Sequence, residues 1–89
     1  MEERIALLNN ALDVLDRLFD GETEIIGVGA VLHATGLAMR PDVLSPLFLD
    51  AASSLEAIRR AGMTAEDARE SALRSTHSLR LASAEALEE

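Results

Sequence analysis

Apolar residues recur at three- and four-residue steps through most of this chain, and only an α-helix gathers such positions onto one face. Between residues 2 and 19, Ile5, Leu8, Leu12, Leu15 and Phe19 follow that spacing, and Leu7, Ala11, Val14 and Leu18 form a second stripe beside them. Together they fill one half of a helix, while Asn9, Asn10, Asp13, Asp16, Arg17 and Asp20 fill the other. A strand has a period of two and cannot produce that partition. Gly21 follows where a helix is expected to end in a left-handed cap.

Two further joints, Arg40-Pro41 and Gly62, divide the rest of the chain. A second helix is expected over about 24–39, with Thr23 as its N-cap and Glu22 and Glu24 suited to the positive end of the helix dipole. It is apolar nearly all round, the pattern of a central, buried helix. One strip of it holds only small or β-branched residues (Gly27, Ala30, Val31, Ala34, Ala38) and would let another helix backbone approach closely. The residue before Pro41 leaves the helical region, which ends the segment.

The third helix is expected over about 46–61, with Ser45 as N-cap, Pro46 at the first helical position and Asp42 capping a short preliminary turn. Leu47, Phe48, Ala51, Leu55 and Ile58 make its apolar stripe. The fourth is expected over about 65–87. It opens on Thr64-Ala65-Glu66-Asp67, a capping box with Asp in place of Glu or Gln, and Met63 and Ala68 are placed as a hydrophobic staple. Its stripe is thin: Ala65, Ala68, Ala72, Thr76, Leu79, Ser83 and Ala86. It suits the small strip of the second helix, or its own copy in another subunit. The expected architecture is all-α: a single domain over 1–89, a bundle of four helices with the second one central.

Composition narrows the function classes. The formal net charge is −8, and every basic residue is Arg. An acidic domain repels phosphate backbones and anionic membrane surfaces, so direct nucleic-acid and membrane binding are not expected. No Cys is present, which excludes disulfides, thiolate metal sites and a Cys nucleophile. The stretch from Ile25 to Met39 falls short of the ~20 residues of a membrane span. Met1-Glu2-Glu3-Arg4 does not open a secretory signal, and a cytoplasmic location is expected. An Arg-only, Ala-rich composition is what a GC-rich bacterial genome produces. At 48% hydrophobic residues, so short a chain carries more apolar surface than one compact monomer hides. A homodimer is expected, through the surplus apolar face of the first helix or the small stripe of the fourth.

No arrangement with catalytic or cofactor-binding chemistry stands out. Gly27-Val28-Gly29 begins a dinucleotide fingerprint, but the third glycine position is Leu32 and the flanking strands are missing. Without Lys there is no Walker loop, and no Gly-x-Ser-x-Gly elbow occurs. No catalytic residue, cofactor or metal ligand is therefore assigned. The leading reading is a small non-enzymatic protein–protein interaction module that self-associates, with Leu8, Leu12, Leu15 and Phe19 as its packing or partner residues. The alternative rests on a line of acids, Asp13, Asp16 and Asp20, with Glu22 and Glu24 beyond. In size and charge alone the chain resembles small acidic helical inhibitors of immunity or antitoxin type, which neutralise a basic partner such as a nuclease. A third reading places a metal or a small enzyme site in a dimer groove near His33 and Arg40, with His77 joining His33 if the second and fourth helices pack.

Overall fold

The computed structural model describes residues 2–22 and 24–88. It contains four helices and, among the described residues, no strand: α1 (Glu2–Phe19), α2 (Ile25–Ala38), α3 (Ser45–Arg60) and α4 (Ala65–Glu88). Each packs chiefly on two neighbours, α1 on α2 and α4, and α3 on α2 and α4. The 24 residues of α4 rise about 36 Å, which sets the 40 Å long axis of the molecule.

The joints follow the sequence signals. Gly21 takes φ +77°, the Gly21 N–H donates to Leu18 O, and the Glu22 N–H reaches back to Arg17 O at 2.8 Å. These two bonds make a Schellman cap, and they satisfy carbonyls that the end of α1 would otherwise leave open. Gly62 takes φ +70° after α3. At the start of α4 the Thr64 hydroxyl accepts from the Asp67 N–H, the first half of a capping box. Asp42 caps the turn before α3, its Oδ1 accepting from the Leu44 N–H at 2.9 Å. The expected cap at Thr23 lies outside the described residues; Glu24 occupies the N-cap position of α2, in extended conformation.

Ser45 departs from expectation. It is the first residue of α3, not its cap, and its hydroxyl donates across to the Gly36 carbonyl of α2 at 2.7 Å. Leu44 holds the cap position instead, with helical dihedrals. The bond to Gly36 lies where α3 side chains crowd the α2 backbone. A methyl group at Gly36 would stand 2.8 Å from Leu49 Cδ2, 2.9 Å from Leu49 Cγ and 3.1 Å from Phe48 Cβ. Glycine here is a packing requirement, and Phe48 is fully buried beside it.

One core joins all four helices: Leu8, Ala11, Leu15 and Leu18 from α1, Val28 and Leu32 from α2, Phe48, Leu55 and Ile58 from α3, Ala72 and Leu79 from α4. On α1 the buried face lies between the two stripes read from the sequence. Leu8 and Leu15 are buried, Leu12 is half-buried, and Phe19 is 52% exposed. Nine apolar residues cover a wider arc than the core can take up. Burying Ala11 and Leu18 leaves the line Ile5, Leu12, Phe19 at the rim.

The burial expected for α2 on all sides occurs on one face only. Val28, Leu32, Thr35 and Gly36 point inward, while Ile26, Gly27, Ala30, His33, Ala34, Leu37 and Ala38 are exposed. The small stripe of α4 does not pack mainly on α2. Ala72, Thr76, Leu79 and Ser83 are buried as α4 seats on α1 and α3. The Ser83 hydroxyl is fully buried with no hydrogen-bond partner among the described residues.

Gly36→Ala gains helix propensity but overpacks Phe48 and Leu49, and should destabilise by about 1–2 kcal/mol net. Gly29→Ala meets only an ordinary contact, Leu55 Cβ at 3.7 Å. It should stabilise by about 0.5–1 kcal/mol. Ser83→Ala removes an unsatisfied buried hydroxyl and should raise stability by about 1 kcal/mol. Urea denaturation of the three variants at one fixed protein concentration checks the signs.

Candidate functional site

The outward face of α2 is an apolar surface that the fold leaves exposed. No Asp, Glu or Arg occurs between Ile25 and Ala38. Ile26 and Leu37 stand 59% and 44% exposed near its two ends, with Ala30 and Ala34 between them and Gly27 and Ala38 alongside. Large side chains at the ends and small ones in the middle give the face a shallow waist. Glu24 caps its N-terminal end, and Arg40 lies just past its C-terminal end. Neither side chain forms an ion pair among the described residues.

Beside this face runs a groove of about 360 Å³ between α2 and α3, floored by Gly29, Ala30, Ala52 and Leu55 and rimmed by His33, Glu56 and Arg59. Past Ile25, Ile26 and Arg59 it continues into a hollow of about 440 Å³ at the end of the bundle, where Leu18, Ala65, Ala68 and Arg69 join the lining. The rim charges neutralise one another. Arg59 grips Glu56 through both carboxylate oxygens, at 2.6 and 3.1 Å, and Arg60 adds a third bond at 3.0 Å. The Arg59 guanidinium, with help from Arg60, holds the Glu56 carboxyl down at about 2. A general acid or base near neutrality needs the opposite displacement.

His33 and Arg40 do not share a groove. Arg40 lines a separate depression with Pro41, Asp42, Ser45, Pro46, Leu49 and Asp50, at the turn between α2 and α3. Nor do the two histidines meet. His77 lies in a third groove, of about 380 Å³ between α1 and α4, with Leu15, Phe19, Leu73, Arg74 and Arg80. Their meeting required α2 to pack on α4, and α1 and α3 take those contacts instead. Among the described residues no cluster of three or more His, Asp or Glu side chains could hold a metal ion.

The acidic ridge of α1 is partly used within the chain. Arg17 lies 3.3 Å from Asp13, and Arg80 of α4 bonds Asp16 at 2.7 Å. Of the three, Asp20 alone has no ion pair among the described residues. Arg80 also lies over the Phe19 ring, 4.8 Å from its centroid, and Arg69 donates to the Phe19 carbonyl. This part of the ridge fastens α4 to α1. A second fastening, absent from the sequence reading, joins Arg4 of α1 to Asp42 at 2.5 Å. The Arg4 bond and the Leu44 N–H lower the Asp42 carboxyl below the usual carboxylate range.

Of the residues singled out from the sequence, Leu8 and Leu15 belong to the core, Leu12 and Phe19 to its rim, and His33 to the border of the α2 face. The exposure of Ile26 and Leu37 was missed. Their only signal is a helix without charge, which reads equally well as one buried all round. Among the described residues, no helix is long and apolar enough to cross a membrane. No family model, curated protein or solved structure matches the chain.

A carboxyl whose folded pKa is lowered contributes stability above its unfolded pKa and loses it as pH falls through the folded value. Asp42→Asn should therefore cost about 1 kcal/mol at pH 7, allowing for the solvent around Arg4. The difference from the parent chain should close as the pH falls below the ordinary Asp pKa of about 3.9. Paired urea titrations at neutral and acid pH measure both.

Proposed function

We propose that this chain is a small non-enzymatic protein–protein interaction module that self-associates through the outward face of α2. The carrying observation is that face itself, fourteen residues of helix with no Asp, Glu or Arg and with Ile26 and Leu37 in solvent. A folded monomer of this mass has an accessible surface of about 5,000 Å². This chain has 5584 Å². The excess, roughly 500 Å², approaches what each partner loses in a small specific interface.

The interface therefore moves from where the sequence suggested. Much of the apolar face of α1 and of the small stripe of α4 is used inside the single chain, although Ile5, Phe19 and Leu81 stay exposed on those two helices, and α2 adds Ile26 and Leu37 on a face without charge. The inhibitor reading has weaker support, because Arg17 and Arg80 already answer two of the three ridge acids. A metal or catalytic site near His33 has less still, with His77 and Arg40 lining other grooves.

Size-exclusion chromatography with light scattering tests the proposal. The parent chain should run as a dimer. Ala30→Arg buries a charge at the waist and should weaken association by more than ~100-fold with helical content unchanged. A parent chain that stays monomeric at about 100 μM, a weak affinity for an obligate pair, would sink the self-association reading. So would an Ala30→Arg protein that remains dimeric.

A further inference from the structure

The groove of about 380 Å³ between α1 and α4 differs in charge from the chain around it. Its lining holds Arg74, His77 and Arg80 and no Asp or Glu, although the chain as a whole carries −8. All three come from the middle of α4, which has no acid between Ser71 and Ala84. Leu15, Leu73 and Phe19 supply the apolar part of the lining, and Phe19 is 52% exposed. The Thr76 hydroxyl is already spent on the Ala72 carbonyl at 2.8 Å, so polar recognition in the groove falls to the cationic side chains. We infer that this groove binds an amphiphilic monoanion, an aliphatic carboxylate of medium length, with its carboxylate on Arg74 and its chain against Leu15, Leu73 and Phe19. The site is separate from the face of α2 and does not depend on it.

The pairing of the charges selects a single negative charge. Arg80 is engaged within the chain, bonding Asp16 at 2.7 Å and lying 4.8 Å over the Phe19 ring, where it holds the ring as one wall. Arg74 has no ion pair or hydrogen bond among the described residues. Its planar fork of donors matches both oxygens of a carboxylate. His77 lines the same groove three residues along and adds a ring N–H. A dianion would find only one uncompensated guanidinium here. The apolar lining selects the rest of the ligand. A small hydrophilic anion gains nothing from Leu15, Leu73 or the half-exposed Phe19 ring, whereas an alkyl chain removes that surface from water. The volume lies toward the low end of the range for small-molecule sites, which limits the chain to a medium length.

Titration calorimetry with octanoate, well below its micelle concentration and at low salt, is the test. Octanoate should bind one per chain with a Kd of about 1 mM or tighter. Hexanoate, shorter by two methylenes, should bind roughly tenfold more weakly. Octanol, which keeps the chain and lacks the charge, should also bind roughly tenfold more weakly than octanoate. Arg74 is exposed, so Arg74→Glu should keep the helical content of the parent while weakening octanoate roughly tenfold or more and leaving octanol unchanged. Amide NMR shifts on titration should centre on residues 15–19 and 73–80. Ala30→Arg should bind octanoate like the parent, whatever its oligomeric state, so that this site and the α2 reading fail separately. The assignment is overturned by the lack of saturable binding up to about 10 mM, a weak affinity even for so small a ligand. It is equally overturned if octanol binds as well as octanoate, if Arg74→Glu binds like the parent, or if the shifts centre on α2.

Discussion

The approach of α2 to α3 at Gly36 sets the rest of the structure. Glycine lets the two backbones come close enough for the Ser45 hydroxyl to reach the Gly36 carbonyl, and Phe48 and Leu49 fill the space that a methyl group would need. That contact pins the end of α2 to the start of α3. It commits Val28, Leu32, Thr35 and Gly36 to the inside. An apolar helix fixed by one face must then present the other. The open face of α2 follows from how tightly its inner face is held.

The second constraint is electrostatic and comes from the Arg side chains. A thin α4 stripe of Ala72, Thr76, Leu79 and Ser83 buries little area for a helix of 24 residues. Arg80 on Asp16 and the Phe19 ring, with Arg69 on the Phe19 carbonyl, bind the two long helices along their rims. Each such contact is modest at a solvated surface. Their planar, multiply donating groups nonetheless supply register, which a stripe of alanines lacks. Part of the negative charge of α1 is consumed in this way, which makes the ridge a poorer docking surface than its sequence suggests.

The sequence was most legible where polar and apolar residues segregate. The α1 bounds, the Gly21 cap, the Thr64 cap and the role of Asp42 were all readable, because each depends on neighbours along the chain. What escaped depends on distant residues. The rotation of α1 that buries Leu18 and leaves Phe19 at the rim is decided by what packs against it, and nine apolar positions over half a turn allow several rotations. Ser45 has the credentials of an N-cap, and only the proximity of Gly36 shows its better use. For α2 the pattern carried no direction at all. A helix apolar on every side cannot say which side faces its own chain, so the candidate site was the part of the fold least visible in advance.

An exposed apolar helix also raises the question of what stops association from continuing. In the proposed pair the answer lies in closure. An isologous contact uses the same patch on both copies, so joining two chains leaves no second patch to propagate. A head-to-tail contact between unlike patches could instead grow without limit. The charge of −8 per chain adds to this, since acids at Asp20, Glu66, Asp67 and Glu70 lie exposed on α4 and at the end of α1 and repel further copies. Within α2 the same acids would have prevented the first contact. Under the proposed self-association, confining charge to the other elements and leaving α2 without any would permit one contact and discourage the next.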